Sequence, residues 1–401
     1  MSMEYKKFST FIEKVQYGYT ADETSSVEGD AKYLRITDIV PYFVDKERVP
    51  YCTISEKKKE QYLVKENDLL IARTGATTGY NLVVPKGFDN FIFASYLVRY
   101  FYNQNELFPQ YLKHVLKSNQ YYGFVNNYIG GSAQPGMNPA AFGKFEVPYV
   151  EYEKQKRIAK ILSAYDNLLE TNNKRIKVLE QMAENLYKEW FVRFRFPSHQ
   201  SAEFENGIPK GWEYCTVESL SDILQRGISP DYDDEGELTV ISQKCIRQSI
   251  MDITEARKQT KSFRPELNLL DGDTVICSTG TGTLGRVGQI YGEYPKTTFD
   301  SHVTLVRAKK NIGKHYLFWT LKELEPWFMN MGIGSTNQQE LYRSTIKNAK
   351  TVKPDNEILN YFERIIEPIH KNIVSLAASK ENLVKQRDLL LPRLMSGKWE
   401  V

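Results

Sequence analysis

One apolar rhythm occurs twice in this chain, and few folds accommodate it. In QKRIAKILSAYDNLLETNNKRIKVLEQMAENLYKEWF, Gln155 to Phe191, the positions Ile158, Leu162, Tyr165, Leu169, Asn172, Ile176, Leu179, Ala183, Leu186 and Trp190 advance by alternate steps of four and three, the seam of a coiled coil. A helix with such a seam needs a partner. One constant shift, Ile158 to Phe362, carries the seam onto Phe362, Ile366, Ile369, Ile373, Leu376, Lys380, Leu383, Arg387, Leu390 and Leu394, all apolar but Lys380 and Arg387. The chain is an internal repeat.

Other landmarks keep the order. DLLIARTG from Asp68 matches DTVICSTG from Asp273, Phe93 and Ser95 match Phe299 and Ser301, and Gly131, Ser132 and Gln134 correspond to Gly334, Ser335 and Gln338. Each half opens with short runs rich in β-branched and aromatic residues, such as YLRITDIV, NLVVP and FIFASYLVRYF, or ELTVISQKCIR and TTFDSHVTLVR, which read as strands. A helical passage follows in each, LFPQYLKHVLKSNQYYGFVNN and HYLFWTLKELEPWFMN. Pro148 precedes the first long helix and Pro354 with Asp355 opens the second. The polar PSHQSAEFENGIPKGWE, broken by Pro and Gly, marks the boundary between the halves. Pro368 is expected to bend the second helix in its first third, and Pro392 to loosen its last turn. The predicted class is α+β, with two pseudo-repeated, strand-rich mixed domains separated by two long antiparallel coiled-coil helices. The domains span residues 1–150 and 197–354, and the helical segments 151–196 and 355–401.

At 401 residues, 41% hydrophobic and 26% charged, the chain has room for two or three cores. Its net charge of +3 makes no segment globally basic, so nucleic-acid binding would rest on local groups such as Lys57, Lys58 and Lys59 or Arg257, Lys258, Lys261 and Arg264, which also read as solvated faces. The N-terminal MSMEYKKFSTFIEK lacks a signal-peptide core and no long apolar run occurs, which predicts a soluble cytoplasmic protein without a membrane span. Cys52, Cys215, Cys245 and Cys277 are scattered and read as reduced thiols; His114, His199, His302, His315 and His370 have no ligand spacing. No P-loop occurs, and Asn138, Pro139, Ala140, Ala141 and Phe142 break the N-P-P-F tetrapeptide of adenine methyltransferases. A chain of this kind reads or assembles rather than reacts.

Two turns after equivalent strands are the candidate contact points. Arg73 to Gly79 holds Arg73, Thr74 and Thr77; Thr279 to Arg286 holds Thr281 and Arg286. Both read either as tight connections with glycine at positive φ or as loops that hold phosphate while an arginine enters a groove. Gln134, Asn138 and Gln338 lie on irregular Gly-rich stretches, and Gln243, Lys244 and Arg247 follow a strand; their amides and cations suit base edges, loop caps or a solvated face. The seam residues Ile158, Leu162, Leu169, Asn172, Leu179, Leu186, Phe362, Ile366, Ile373, Lys380, Leu383 and Leu390 are read as packing. Asn172 and Lys380 are expected to fix its register; Asn172→Leu with Lys380→Leu leaving assembly and sequence preference unchanged would refute that.

A helix of 36 residues is roughly 54 Å long, and two readers held apart on antiparallel helices suit a split DNA site. With the paired TG turns, IPKGW before the second domain, the helix from Gln155 and the closing RDLLLPRLMSGKW, the whole chain resembles the specificity subunit of type I restriction-modification enzymes. The resemblance implies two target recognition domains, each reading one half of a bipartite asymmetric site in double-stranded DNA. It implies helices that dock two methyltransferase (modification) subunits, with restriction nuclease/translocase subunits joining that core. No cofactor is expected on this chain; S-adenosylmethionine, ATP and magnesium belong on the partners, and a flipped adenine would enter a partner's pocket. A related system with methylation and cleavage in one partner polypeptide is a variant. The alternatives are a non-catalytic coiled-coil scaffold whose repeated domains bind protein, and an enzyme with an unrecognised site.

Overall fold

The computed structural model describes residues 4–21, 24–129, 136–246, 251, 253–280, 282–334 and 339–395. It divides into two units, Met1–Asn172 with Lys380–Val401, and Asn173–Ser379.

Each unit contains the same strand arrangement. In the first, Ile12–Tyr17, Leu97–Tyr102, Leu69–Ala72 and Asn81–Val83 form an antiparallel sheet in that spatial order. In the second, Ser221–Arg226, Val303–Ala308, Thr274–Cys277 and Val287–Gln289 repeat order and sense. Leu69–Ala72 and Thr274–Cys277 are buried on both faces, which is why they read as continuous apolar or β-branched runs without alternation. A smaller sheet lies beside each, with one parallel pair: Ala31–Leu34 with Phe91–Phe93, and Leu238–Ile241 with Thr297–Phe299. The outermost strands of each domain also pair, Glu4–Lys7 with Glu146–Tyr149 and Glu213–Thr216 with Lys350–Lys353.

The repeat extends to single hydrogen bonds. Asp68 accepts from the Lys65 amide at 2.8 Å and pairs with Arg99 at 2.8 Å; Asp273 accepts from the Leu270 amide at 2.8 Å and pairs with Arg307 at 2.7 Å. Both carboxylates sit at the head of a central strand, where an unpaired charge would be costly. The Tyr111 hydroxyl donates to the Pro148 carbonyl at 2.7 Å, and that of Tyr316 to the Val352 carbonyl. The helical passages resolve into Pro109–Val115 and Asn119–Ile129 in one domain and Lys314–Glu323 and Glu325–Asn330 in the other.

The long helices are Tyr152–Tyr187, continued by a π turn at Lys188–Val192, and Asn356–Met395. Asp355 caps the second by accepting from the Ile358 amide at 2.9 Å. That helix is continuous through Pro368 and Pro392, both on its exposed side. The neighbouring Ile366, His370 and Ile373 are buried and hold the backbone on either side of Pro368. The helices run antiparallel. In the first unit Ile158, Ala159 and Leu162 share a core with Leu391, Leu394 and Met395; in the second, Ala183, Tyr187 and Trp190 share one with Phe362 and Ile366, and Ile176 meets Ile373. The fold is thus α+β, two strand-rich regions joined by two long antiparallel helices.

Among the seam residues, Ile158, Leu162, Leu169, Asn172, Phe362, Ile366 and Ile373 are buried, while Leu179, Leu186, Lys380, Leu383 and Leu390 are half-buried. The polar stretch after the first helix is packed rather than loose. Phe196, Ile208 and Trp212 enter the second core, a two-residue hairpin pairs Phe204–Glu205 with Ile208–Pro209, and the Trp212 indole donates to Asp355 at 3.2 Å.

Each long helix also presents a buried polar group to the strand-rich domain it packs against. Asp166 takes Arg387 at 3.1 Å, Lys113 at 2.5 Å and the Tyr42 hydroxyl at 2.7 Å. In the second unit His370 bonds Asp271 at 3.0 Å and stacks on Tyr291 with ring centroids 4.7 Å apart.

Candidate nucleic-acid interface

The two turns sit at equivalent corners of the four-stranded sheets, and a glycine shapes each corner. Gly18 follows strand Ile12–Tyr17 and Gly227 follows Ser221–Arg226. A Cβ at Gly18 would lie 2.1 Å from the Ala94 carbonyl oxygen, and one at Gly227 2.1 Å from that of Phe299, so only glycine lets the backbones approach this closely. Beyond each glycine the chain crosses to the smaller sheet through a parallel bridge, Tyr19 to Ala94 and Ile228 to Asp300. Tyr17 and Arg226 therefore occupy the same place at the edge of their domains.

In the first domain this edge is open. Arg73 donates its backbone amide to the Tyr96 carbonyl at 3.1 Å and accepts from the Met137 amide at 2.9 Å, and Thr74 bridges to Gly136. The turn is closed by Thr78, whose amide and hydroxyl both donate to the Gly75 carbonyl, at 3.0 and 2.7 Å. The Arg73 guanidinium lies 5.2 Å from the Tyr17 ring centroid and its Nε donates to the Ser95 carbonyl at 3.4 Å. Tyr17 is 49% exposed and Tyr96 57%, so the arginine lies on one open aromatic ring, with a second exposed tyrosine at the residue whose carbonyl its amide meets. Asn138, also exposed, spends its side-chain oxygen on the Ala141 amide at 2.8 Å, capping the short helix Pro139–Phe142. Thr77 is half-exposed on the turn.

The second domain puts different chemistry at the same places. Ser278 stands where Arg73 stands; its amide donates to the His302 carbonyl at 2.8 Å, and its hydroxyl is buried against Thr304 at 2.6 Å. Leu341 donates its amide to the Ser278 carbonyl at 2.8 Å, as Met137 does to Arg73. His302, the counterpart of Tyr96, is exposed and holds its Nδ1 2.6 Å from the Thr279 hydroxyl. Arg226 is clamped by Glu340 and also donates to the Leu341 carbonyl at 3.1 Å. Arg286 is turned onto the carbonyls of Ile246 and Gly282, each at 2.9 Å, and ties the turn to the loop beside it. Gly285, at φ 78°, would place a Cβ 2.5 Å from the Met329 amide nitrogen. Gln243 comes to this corner, its Cγ 3.7 Å from the Cβ position of Gly280, and Lys244 beside it is exposed.

The sequence-predicted residues thus fall into three groups. Arg73, Thr74 and Asn138 meet at the first corner, with Thr77 on its turn; Gln243, Lys244 and Arg286 gather at the second. Gln134, Arg247, Thr281 and Gln338 lie outside the described residues. Tyr17, Tyr96, His302 and Arg226 were missed. For Tyr17 and Arg226 the signal was the YG and RG steps at Gly18 and Gly227, hidden by unequal insertions between the halves, while Tyr96 and His302 directly follow the matched Ser95 and Ser301. Among the described residues no group of three or more His, Cys, Asp or Glu could hold a metal, and no helix is long and apolar enough to cross a membrane. Cys52, Cys245 and Cys277 are buried thiols and Cys215 a half-buried one.

Residues 26–181 match the family model described as the type I restriction modification DNA specificity domain. The chain is 25% identical over 402 aligned residues to the type I restriction enzyme MjaIX specificity subunit of Methanocaldococcus jannaschii, covering 93% of this chain and 88% of that one. It is 21% identical to the HindI specificity subunit of Haemophilus influenzae, covering 86% and 90%. The crystal structure of the S subunit of a type I system from M. genitalium shares the fold, with a TM-score of 0.54 at 15% identity over 98% of this chain and 95% of that one. A repeated strand-rich domain, two antiparallel helices and these likenesses agree: the chain carries the type I restriction modification DNA specificity domain over residues 26–181 and is similar over most of its length to the specificity subunits of type I restriction enzymes.

Proposed function

We propose that this subunit reads a bipartite, asymmetric site in double-stranded DNA, with one recognition domain on each half, and brings two methyltransferase subunits and the nuclease subunits to it. The observation that carries this reading is the pair of equivalent corners with unlike side chains. Tyr17, Arg73 and Tyr96 on one domain stand where Arg226, Ser278 and His302 stand on the other. One scaffold used twice with different polar groups suits two half-sites of different sequence, since base edges are told apart by donor and acceptor pattern. Catalysis falls to the partners, which would carry S-adenosylmethionine, ATP and magnesium. Apolar side chains left open on the long helices support docking there: Leu168 and Leu389 in the first unit are 52% and 64% exposed, and Val178 and Met182 in the second 58% and 52%.

The test is a genome-wide map of methylated adenine in cells expressing the partner subunits with and without this chain. A motif of two short elements with a fixed gap, methylated only when the chain is present, is expected. Methylation that persists without it would overturn the proposal and favour a scaffold role.

A further inference from the structure

Arginine usage in the first recognition domain singles out one side chain. The domain has four arginines, Arg35, Arg48, Arg73 and Arg99. Arg35 grips Asp38 at 3.0 Å, Arg48 pairs with Asp45 at 3.5 Å, and Arg99 is buried against Asp68 at 2.8 Å. Among the described residues Arg73 alone faces no carboxylate. Its guanidinium is nevertheless held in place, by the Tyr17 ring beneath it and by the Nε bond to the Ser95 carbonyl. The strand Leu69–Ala72 fixes its Cα, and the backbone bonds to Tyr96 and Met137 fix its peptide. One edge of the guanidinium is anchored, and the two terminal amino groups bond to nothing else among the described residues. Two parallel donors on a planar, preoriented fork match the O6 and N7 acceptors that guanine shows in the major groove. Stacking on Tyr17 lowers the entropy lost when the fork binds.

Among the described residues the second domain shows no such group at that corner: Ser278 is buried, Arg226 is bound to Glu340, and Arg286 is turned onto the Ile246 and Gly282 carbonyls. The difference is therefore particular to the first half-site.

We infer that Arg73 is a specificity-determining residue that reads a guanine in the half-site bound by the first recognition domain. This rests on the recognition function proposed above and names one base of one half. As a readout, Arg73 differs from a phosphate contact, which would add affinity without sequence information.

The experiment is methylation mapping in cells that express the partner subunits with wild-type chain, Arg73→Ala, Arg73→Lys or the control Arg48→Ala. The expected result is a wild-type motif with a guanine in the half that follows the first domain. In Arg73→Ala that position alone becomes degenerate, its preference over other bases falling on the order of ten- to a hundredfold, while the other half and the gap persist. Arg73→Lys, which keeps the charge but loses the fork, should also relax that base, and Arg48→Ala should keep the full motif. Methylation at the relaxed motif reports that the variant complex has folded. The assignment falls if the motif is unchanged in Arg73→Ala, if methylation drops equally at every site without a change of motif, or if Arg73→Lys restores full preference. A wild-type complex that methylates no bipartite motif overturns the recognition function itself, and the assignment with it.

Discussion

At the scale of single residues, the second unit holds two titrating groups of opposite sign on one helix contact. Glu363 accepts from the amides of Tyr316 and His315 at 2.8 and 3.1 Å, the unpaired first turn of helix Lys314–Glu323. Burial pushes its carboxyl up to about 7, against the pull of those amides and of Lys314. His315 is buried beside His370 and its imidazole is lowered to about 4, chiefly by burial, with Glu367 drawing it back. A carboxyl raised from 4.5 stabilises the fold most below 4.5, and that contribution is lost as pH rises through about 7. An imidazole lowered from 6.5 acts the other way: its contribution is complete above 6.5 and disappears as pH falls through about 4. The two oppose between those ordinary values, and Glu363 acts alone above them. Thermal unfolding of the Glu363→Gln protein should therefore be flatter from pH 6 to 8 than that of the wild type, which should lose about 1 kcal/mol across the window. Parallel curves would show that the carboxyl is not perturbed by its site.

At the scale of elements, the seam was legible and its second face was not. Ile158, Leu162, Leu169 and Ile176, and their mates Phe362, Ile366 and Ile373, are buried as a four-three repeat demands. The same helices also turn Asp166 and His370 toward the recognition domains, one step beyond the seam positions Tyr165 and Ile369. A polar residue at such a position reads as solvent-facing, because periodicity reports one stripe and says nothing of a second partner. The neighbours of Asp166 reveal its role. The carboxylate is held below its ordinary range by Lys113 and hydrogen bonds to Lys113 and Tyr42, although burial opposes this. Arg387→Met should cost about 3 kcal/mol in denaturant unfolding, because it removes one partner of a buried pair. Lys156→Met should leave the unfolding midpoint essentially unchanged, since Lys156 and Glu153 are exposed. Equal effects would contradict a structural part for the buried pair. The corner glycines extend the argument: Gly18→Ala and Gly227→Ala must each displace a backbone carbonyl, and should cost the soluble yield of the assembled complex while Gly123→Ala, with open space around it, does not.

At the scale of the molecule, duplication of sequence became duplication of topology. Strand order, the two buried Asp–Arg pairs and the Tyr111 and Tyr316 hydroxyl bonds all occur once in each unit. The offset that exposed the repeat also hid the candidate corners, because inserted residues between the halves break a fixed shift before it reaches Gly18 and Gly227. Arg73 was visible from its TG turn, whereas Tyr17, whose ring lies under it, and Tyr96, whose carbonyl takes its amide, come from another strand and another turn and meet it only in the fold. Two readers of independent chemistry on one scaffold are the central claim, and exchange of the first reader tests it most directly. Residues 1–150 are replaced by the corresponding domain of a relative with a different methylation motif, and methylated adenine is mapped in cells with the partner subunits present. The account predicts that one half of the motif changes to that of the donor while the other half and the gap stay as they were. A change in both halves, or in the half assigned to residues 197–354 alone, would contradict it.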